Sequence, residues 1–129
     1  MSEMIVCFSE IPGAPKAVGP YSPAVKVGNT YYLSGQVGLN PESGKLVEGG
    51  ITAQTEQVLR NVTAVLASLK LNLKNVAKST IFLTDMGDFQ TVNALYGNAF
   101  GNHKPARSTI QVAALPLGAM VEIEVIAVE

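Results

Sequence analysis

Cysteine, histidine and charge are all scarce in this chain, and each shortage closes off a class of function. The single cysteine, Cys7, cannot form an internal disulfide, which fits a reducing compartment. With one histidine, His103, lying far from Cys7 in sequence, no ligand cluster has a recognised metal spacing, so no metal is expected. A Ser–His–acid triad would have to recruit His103, which lacks a supporting elbow motif. Cys7 has no basic neighbour to lower its pKa, which removes a thiolate nucleophile. The scattered glycines match no phosphate-binding pattern. Met1 to Cys7 has neither the basic start nor the long apolar stretch of a signal peptide. No apolar run approaches the ~20 residues that a membrane-spanning helix needs. A cytoplasmic protein without membrane attachment is expected.

Charged residues make up 15% of the 129 residues and hydrophobic ones 47%, so a lone protomer would struggle to cover its surface with polar groups. Apolar area shared with sister subunits follows from that imbalance. A net charge of −1 provides no positive field to collect a phosphate backbone, which argues against nucleic acid as the main partner. The length suits one domain over 1–129, with no internal repeat or linker.

Along the chain, a short strand is expected over residues 3–9. An irregular loop follows from Ile11 to Pro23, where Pro12, Pro15, Pro20 and Pro23 withdraw ladder donors. Ala24–Val27 and Thr30–Ser34 flank Gly28-Asn29 as a hairpin, and Pro41 to Gly44 forms a further turn. From Ile51 to Leu71 the apolar spacing changes to that of a helix, with Val58, Leu59, Val62, Val65, Leu66 and Leu69 on one stripe and Gln54, Gln57, Arg60 and Asn61 off it. A strand is expected within Ala77 to Asp85. A second helix follows, with Asp88 as its N-cap and Phe89, Val92, Leu95, Tyr96, Ala99 and Phe100 inward; Gly97 would allow close approach to the sheet, and Gly101 would end the helix. Strands over Ser108–Ala113 and Ala119–Val128 complete an α+β fold with both helices on one sheet face. In the last strand, period two puts Glu122 with Glu124, Ile126 and Val128, opposite Val121, Ile123 and Val125.

Pro105-Ala106-Arg107-Ser108 presents a guanidinium from a rigid turn, and its fork donates two parallel hydrogen bonds to a planar carboxylate. A small carboxylate-bearing ligand is therefore expected. That motif, with Ala113-Ala114-Leu115-Pro116 and Val121-Glu122-Ile123-Glu124, closely resembles the C-terminal signature of the RidA (YjgF) family of reactive intermediate deaminases. Gly19-Pro20-Tyr21-Ser22, Ser34-Gly35-Gln36 and Asp88-Phe89 with Val92-Asn93 are similar to its upstream motifs in order and spacing, so the resemblance spans essentially the whole chain.

The resemblance implies a chorismate-mutase-like mixed sheet carrying two helices, assembled as a homotrimer with sites between subunits. It implies hydrolysis of 2-enamine and 2-imine acids such as 2-aminoacrylate to 2-keto acids and ammonia, with no cofactor. Arg107 would then anchor the substrate carboxylate, and Glu122 would orient water or relay a proton. Tyr21 would donate from its phenol, and Thr109 would hold water through its backbone carbonyl. Ser34, Gly35 and Asn93 would help to bind the substrate. Two positions depart from the common pattern: Thr109 stands where many relatives carry cysteine, and Lys104 where an aromatic residue is usual. A small-carboxylate binding or sensing module is the alternative. Ribonuclease activity, ascribed to some relatives, finds no His/Lys constellation and an acidic pI here.

Overall fold

The computed structural model of the protein describes residues 4–129. A single six-stranded sheet runs β1 (Ile5–Phe8), β2 (Ala24–Val27), β3 (Thr30–Val37), β6 (Val121–Val128), β4 (Val76–Leu83), β5 (Ala106–Gln111) from edge to edge. The strand expected over 3–9 begins outside the described residues and stands as β1. The Gly28-Asn29 hairpin forms as expected, with Val27 paired to Thr30 and Gly28 at a φ of 59°. This is the left-handed geometry that a two-residue hairpin demands and glycine supplies without strain.

Helices α1 (Gly50–Ser68) and α2 (Phe89–Phe100) pack against the same face. β4 and β5 run parallel, which requires a crossover, and α2 provides it; every other strand pair is antiparallel. Beneath the helices the core takes alternate residues of the strands: Tyr31 and Leu33 from β3, Ile81 and Leu83 from β4, Val121, Ile123, Val125 and Ala127 from β6. Val58, Val62, Val65 and Leu66 of α1 and Val92, Tyr96 and Phe100 of α2 close over them. The α+β reading with both helices on one side therefore stands. On the opposite face Tyr32, Ile126 and Val128 stay partly or fully open, and no element among the described residues covers them.

Several local expectations fail for identifiable reasons. Gln54, Gln57 and Asn61 fall off the helix's apolar stripe by spacing, yet all three are buried. Their amides replace the backbone partners that two loops lack. Asn61 Nδ2 donates to the carbonyls of Val37 (3.1 Å) and Leu39 (2.9 Å), and its Oδ1 accepts from Gln57 Nε2. Gln54 Oε1 accepts from the Met120 amide at 2.8 Å. α1 stops at Ser68 rather than near Leu71 because Lys70 turns left-handed (φ 62°), letting the Leu71 amide reach back to the Leu66 carbonyl. Asp88 occupies the N-cap of α2 but makes no capping bond; Asp85 caps the preceding turn by accepting from the Gly87 amide. Ala99 is exposed, and Gly97 faces open space rather than the sheet. Gly101 does end α2, its amide returning to the Gly97 carbonyl.

Removing the Asn61 amide takes its donor from the Leu39 carbonyl and one of two donors from the Val37 carbonyl, which also accepts from the Leu39 amide, and leaves the Gln57 amide without its acceptor. Asn61→Ala is expected to cost about 2–4 kcal/mol in urea unfolding, more than its small loss of volume would. A change below ~1 kcal/mol would mean that water replaces the amide.

Candidate functional site: two half-sites on opposite faces of the sheet

The first cavity, about 370 Å³, opens where β3 breaks its register against β6 between Leu33 and Gln36. The break frees Ser34 and Gly35 from the ladder. The Ser34 hydroxyl donates to the Ser22 carbonyl at 2.6 Å and the Ser34 amide to the Pro23 carbonyl at 2.9 Å, stapling the proline-rich loop against the bulge. That loop brings Tyr21 to the cavity, where its phenol oxygen accepts a hydrogen bond from the Val18 amide.

Glu122 enters from β6 and lays its carboxylate over Gly35. A Cβ built on Gly35 would overlap Glu122 Oε2 and come within 2.7 Å of its Cδ, so only glycine admits the carboxylate here. Glu122 is half-buried while Glu124 is exposed, as the motif suggested. Burial, and secondarily the charge of Glu124, raise the Glu122 pKa above its ordinary value.

The second cavity, about 440 Å³, lies between α2 and the segment leading into β5. Arg107 on β5 pairs in parallel register with Ser79, which is buried beneath the helices, so the guanidinium projects to the helix face. It sits 5.0 Å from the Tyr96 ring centroid and 5.8 Å from that of Phe89. Asn93 and Lys104 line the same cavity, Lys104 Nζ donating to the Gly101 carbonyl at 2.8 Å. His103 Nε2 lies 2.7 Å from the Val76 carbonyl, to which it donates. Its role is thus to tie the loop before β5 to the start of β4.

The candidate residues therefore divide. Tyr21, Ser34, Gly35 and Glu122 share the first cavity; Arg107 and Asn93 share the second. Glu122 is opposite Phe82 in register, on the uncovered face, whereas Arg107 is on the covered face. Within one protomer the acid and the guanidinium do not meet. Among the described residues the one ion pair is Lys26–Glu129, so both Glu122 and Arg107 lack a partner of opposite charge.

Thr109 lines neither cavity. Its hydroxyl is buried without a hydrogen-bond partner, on the face it shares with Arg107. Because the Val112 amide donates to the Leu83 carbonyl, strand alternation turns the N–H and C=O of Thr109 toward the open edge of β5.

Two features escaped the sequence reading. Leu117, in the wall of the first cavity, is 60% exposed and holds a left-handed backbone (φ 61°). Its Pro116-Leu117-Gly118 context carried a turn signal, but nothing marked leucine as the residue to bear positive φ. Helical spacing puts Tyr96 in the core, where it lies, but its second contact, with Arg107, follows only from the β4–α2–β5 crossover.

The structure is thus a mixed-sheet α+β protein with an acidic half-site and a basic half-site, and known proteins share its fold. The sequence model of the family described as endoribonuclease L-PSP matches residues 12–129. A mouse protein named 2-iminobutanoate/2-iminopropanoate deaminase is 49% identical over 129 residues, covering 100% of this chain and 96% of its own. The crystal structure of RidA from a Psychrobacter species superposes with a TM-score of 0.92 at 44% identity, over 96% of this chain and 100% of that one. Escherichia coli TdcF with bound serine gives 0.90 at 36%, over 96% and 99%. The chain belongs to the RidA/YjgF family.

Gly35→Ala puts a methyl group where the Glu122 carboxylate lies; the carboxylate, at the end of a flexible side chain, swings aside, so the variant is expected to fold with a thermal midpoint close to the parent's while losing imine-hydrolysis activity. Leu117→Gly relieves a left-handed leucine that no core packing compensates. Its thermal midpoint is expected to equal or exceed that of the parent by calorimetry.

Proposed function

We propose that the protein hydrolyses short 2-enamine and 2-imine acids, 2-aminoacrylate among them, to 2-keto acids and ammonia. The observation that carries this reading is the pair of uncompensated charges, a half-buried carboxylate and a guanidinium without an acid, held in separate cavities. The imine deaminase named among the close relatives supports the reaction class, and the serine bound to TdcF supports a small amino-acid-like ligand.

Neither half-site is sufficient alone. In this reading residues 1–129 form one RidA-like, chorismate-mutase-like domain, and three copies assemble so that Arg107 of one protomer faces the Glu122 cavity of the next. Interprotomer sites reconcile the opposite-face geometry with a single substrate, and the scarcity of charge supports such burial. A cytoplasmic setting fits the lone cysteine. Among the described residues no helix is long and apolar enough to cross a membrane.

The steps need no cofactor, because the substrate carbon is already electrophilic. The enamine tautomerises with solvent, gaining a proton at its methylene carbon and losing one from nitrogen, and becomes the imine. Arg107 grips the substrate carboxylate with two parallel hydrogen bonds. Water, accepted by Glu122 and by the backbone carbonyl of Thr109, adds to the imine carbon and passes its proton to Glu122. That proton passes from Glu122 to nitrogen to give the carbinolamine, whose hydroxyl proton then moves through the same carboxylate to nitrogen as the C–N bond breaks, leaving keto acid and ammonia. A carboxyl whose pKa is raised is suited to this shuttle, since it accepts and returns a proton nearer neutrality. Ser34, Gly35 and Asn93 shape the cavities around the substrate, and the Tyr21 phenol donates to the substrate or the water.

Purified protein added to a pyridoxal-phosphate dehydratase that releases the enamine is expected to accelerate keto-acid formation. Arg107→Ala should lower kcat/KM by ~100-fold or more while the fold survives. Undiminished turnover by that variant would refute the assignment. The pH profile offers a second check. Glu122 must be ionised to accept the water's proton, so activity falls as pH drops through its raised pKa. Removing the Glu124 charge lowers that pKa, and Glu124→Gln is therefore expected to move the acid limb to lower pH.

The second reading, a binding module, is favoured by the serine in TdcF, which is not itself an imine. Calorimetric binding of 2-ketobutyrate with no acceleration of imine hydrolysis would select it.

A further inference from the structure

We infer that Tyr96 is a positioning residue for Arg107, forming with Phe89 an aromatic seat that fixes the guanidinium while leaving its hydrogen-bond donors free for the ligand's carboxylate. The inference rests on the substrate-anchoring role given to Arg107 above and names what makes that role possible.

An arginine withdrawn from water is normally held by a carboxylate. Arg107 has none among the described residues, and its guanidinium makes no hydrogen bond there to a side chain or a carbonyl. What it has instead is two ring faces, Tyr96 at 5.0 Å and Phe89 at 5.8 Å. A ring attracts the cation through its quadrupole and consumes no N–H. A carboxylate in the same place would occupy two of the five donors and cancel the charge that an anionic substrate must find.

The seat is itself immobilised. Tyr96 is buried, its ring stacks on Phe100 at 4.3 Å and 25°, and its hydroxyl donates to Ser79 Oγ at 2.9 Å. Ser79 is also the residue paired with Arg107 across the parallel β4–β5 ladder. The hydroxyl at one end of the ring and the guanidinium over its face are thus referenced to the same rung of the sheet. Tyr96 and Phe89 both belong to α2, the crossover between those two strands, so the geometry of the seat is built by one βαβ unit.

The test is a kinetic split. A carboxylate grip acts in the ground state and the transition state alike, so loosening it raises KM with little effect on kcat. Tyr96→Leu is expected to raise KM by ~10-fold or more. Tyr96→Phe keeps the ring and loses the Ser79 bond, and should restore most of that KM. Val92→Ala, a buried truncation on the same helix, should lower the thermal midpoint while leaving KM at the parent value. Phe89→Leu, which disturbs only the outer face of the seat, gives a smaller KM rise and serves if Tyr96→Leu fails to fold.

An unchanged KM in folded Tyr96→Leu or Phe89→Leu, alongside inactive Arg107→Ala, would overturn the seat and leave the deaminase reading standing. An equal KM rise in Val92→Ala would overturn it too, reducing Tyr96 to core packing. Full activity of Arg107→Ala would instead remove the anchoring role on which the seat depends. Should the parent bind 2-ketobutyrate without turning over imines, the same variants read by calorimetric Kd decide the seat independently of catalysis.

Discussion

Strand alternation is the constraint on which this site depends. Side chains of a sheet point to one face or the other, and β6 sends Glu122 to the uncovered face while β5 sends Arg107 beneath the helices. No rotamer change brings the two together within one chain. The molecule therefore holds a carboxylate and a guanidinium apart, each in its own cavity, each lacking an opposite charge. Two charges that met in one chain would neutralise each other and leave nothing for a ligand to complete.

Each charge is kept unpaired by a different device. Glu122 is accommodated because Gly35 has no side chain, at a point where β3 slips its register and two hydrogen bonds from Ser34, one from its hydroxyl and one from its amide, pin the slip to the proline-rich loop. Arg107 is accommodated by rings rather than by an acid. Both arrangements carry a cost that a purely structural position would avoid. A half-buried carboxylate with a raised pKa loses folding stability as pH rises from the ordinary carboxylate value through the raised one, because the unfolded chain releases that proton more readily. A left-handed Leu117 in the wall of the same cavity adds backbone strain. The carboxylate of raised pKa and the left-handed Leu117 thus share one cleft, while the core beneath the helices is mostly apolar, its buried polar groups hydrogen-bonded except for the Thr55 hydroxyl.

Much of the architecture was legible because it follows from periodicity. The hairpin at Gly28-Asn29, the apolar stripe of α1 and the alternation of β6 all appear as expected, since short-range spacing decides them. The burial of Gln54, Gln57 and Asn61 was not legible. Amides that look like surface residues become internal struts only when loops distant in sequence present unpaired backbone groups. The site divides along the same line. Motif order identified Arg107, Glu122, Ser34 and Gly35 as a set, but no spacing in one dimension reveals which sheet face each occupies. Gly97, expected to pack against the sheet, faces the Arg107 cavity instead, because helical phase measured from the apolar stripe does not fix how α2 rolls on β4 and β5.

The position of β6 bears on how the molecule comes into being. It is the last of the six strands to leave the ribosome, yet it lies at the centre of the sheet, joined to β3 on one side and β4 on the other. Until it emerges, the β1–β2–β3 meander and the β4–α2–β5 unit have no common partner, and α1 has half a surface to rest on. Assembly of the nascent chain is thus withheld until translation of this domain is nearly complete, and contacts this distant in sequence make for slow closure. The strand that carries Glu122 is also the one that joins the two halves, so neither half acquires its acid before the sheet is whole.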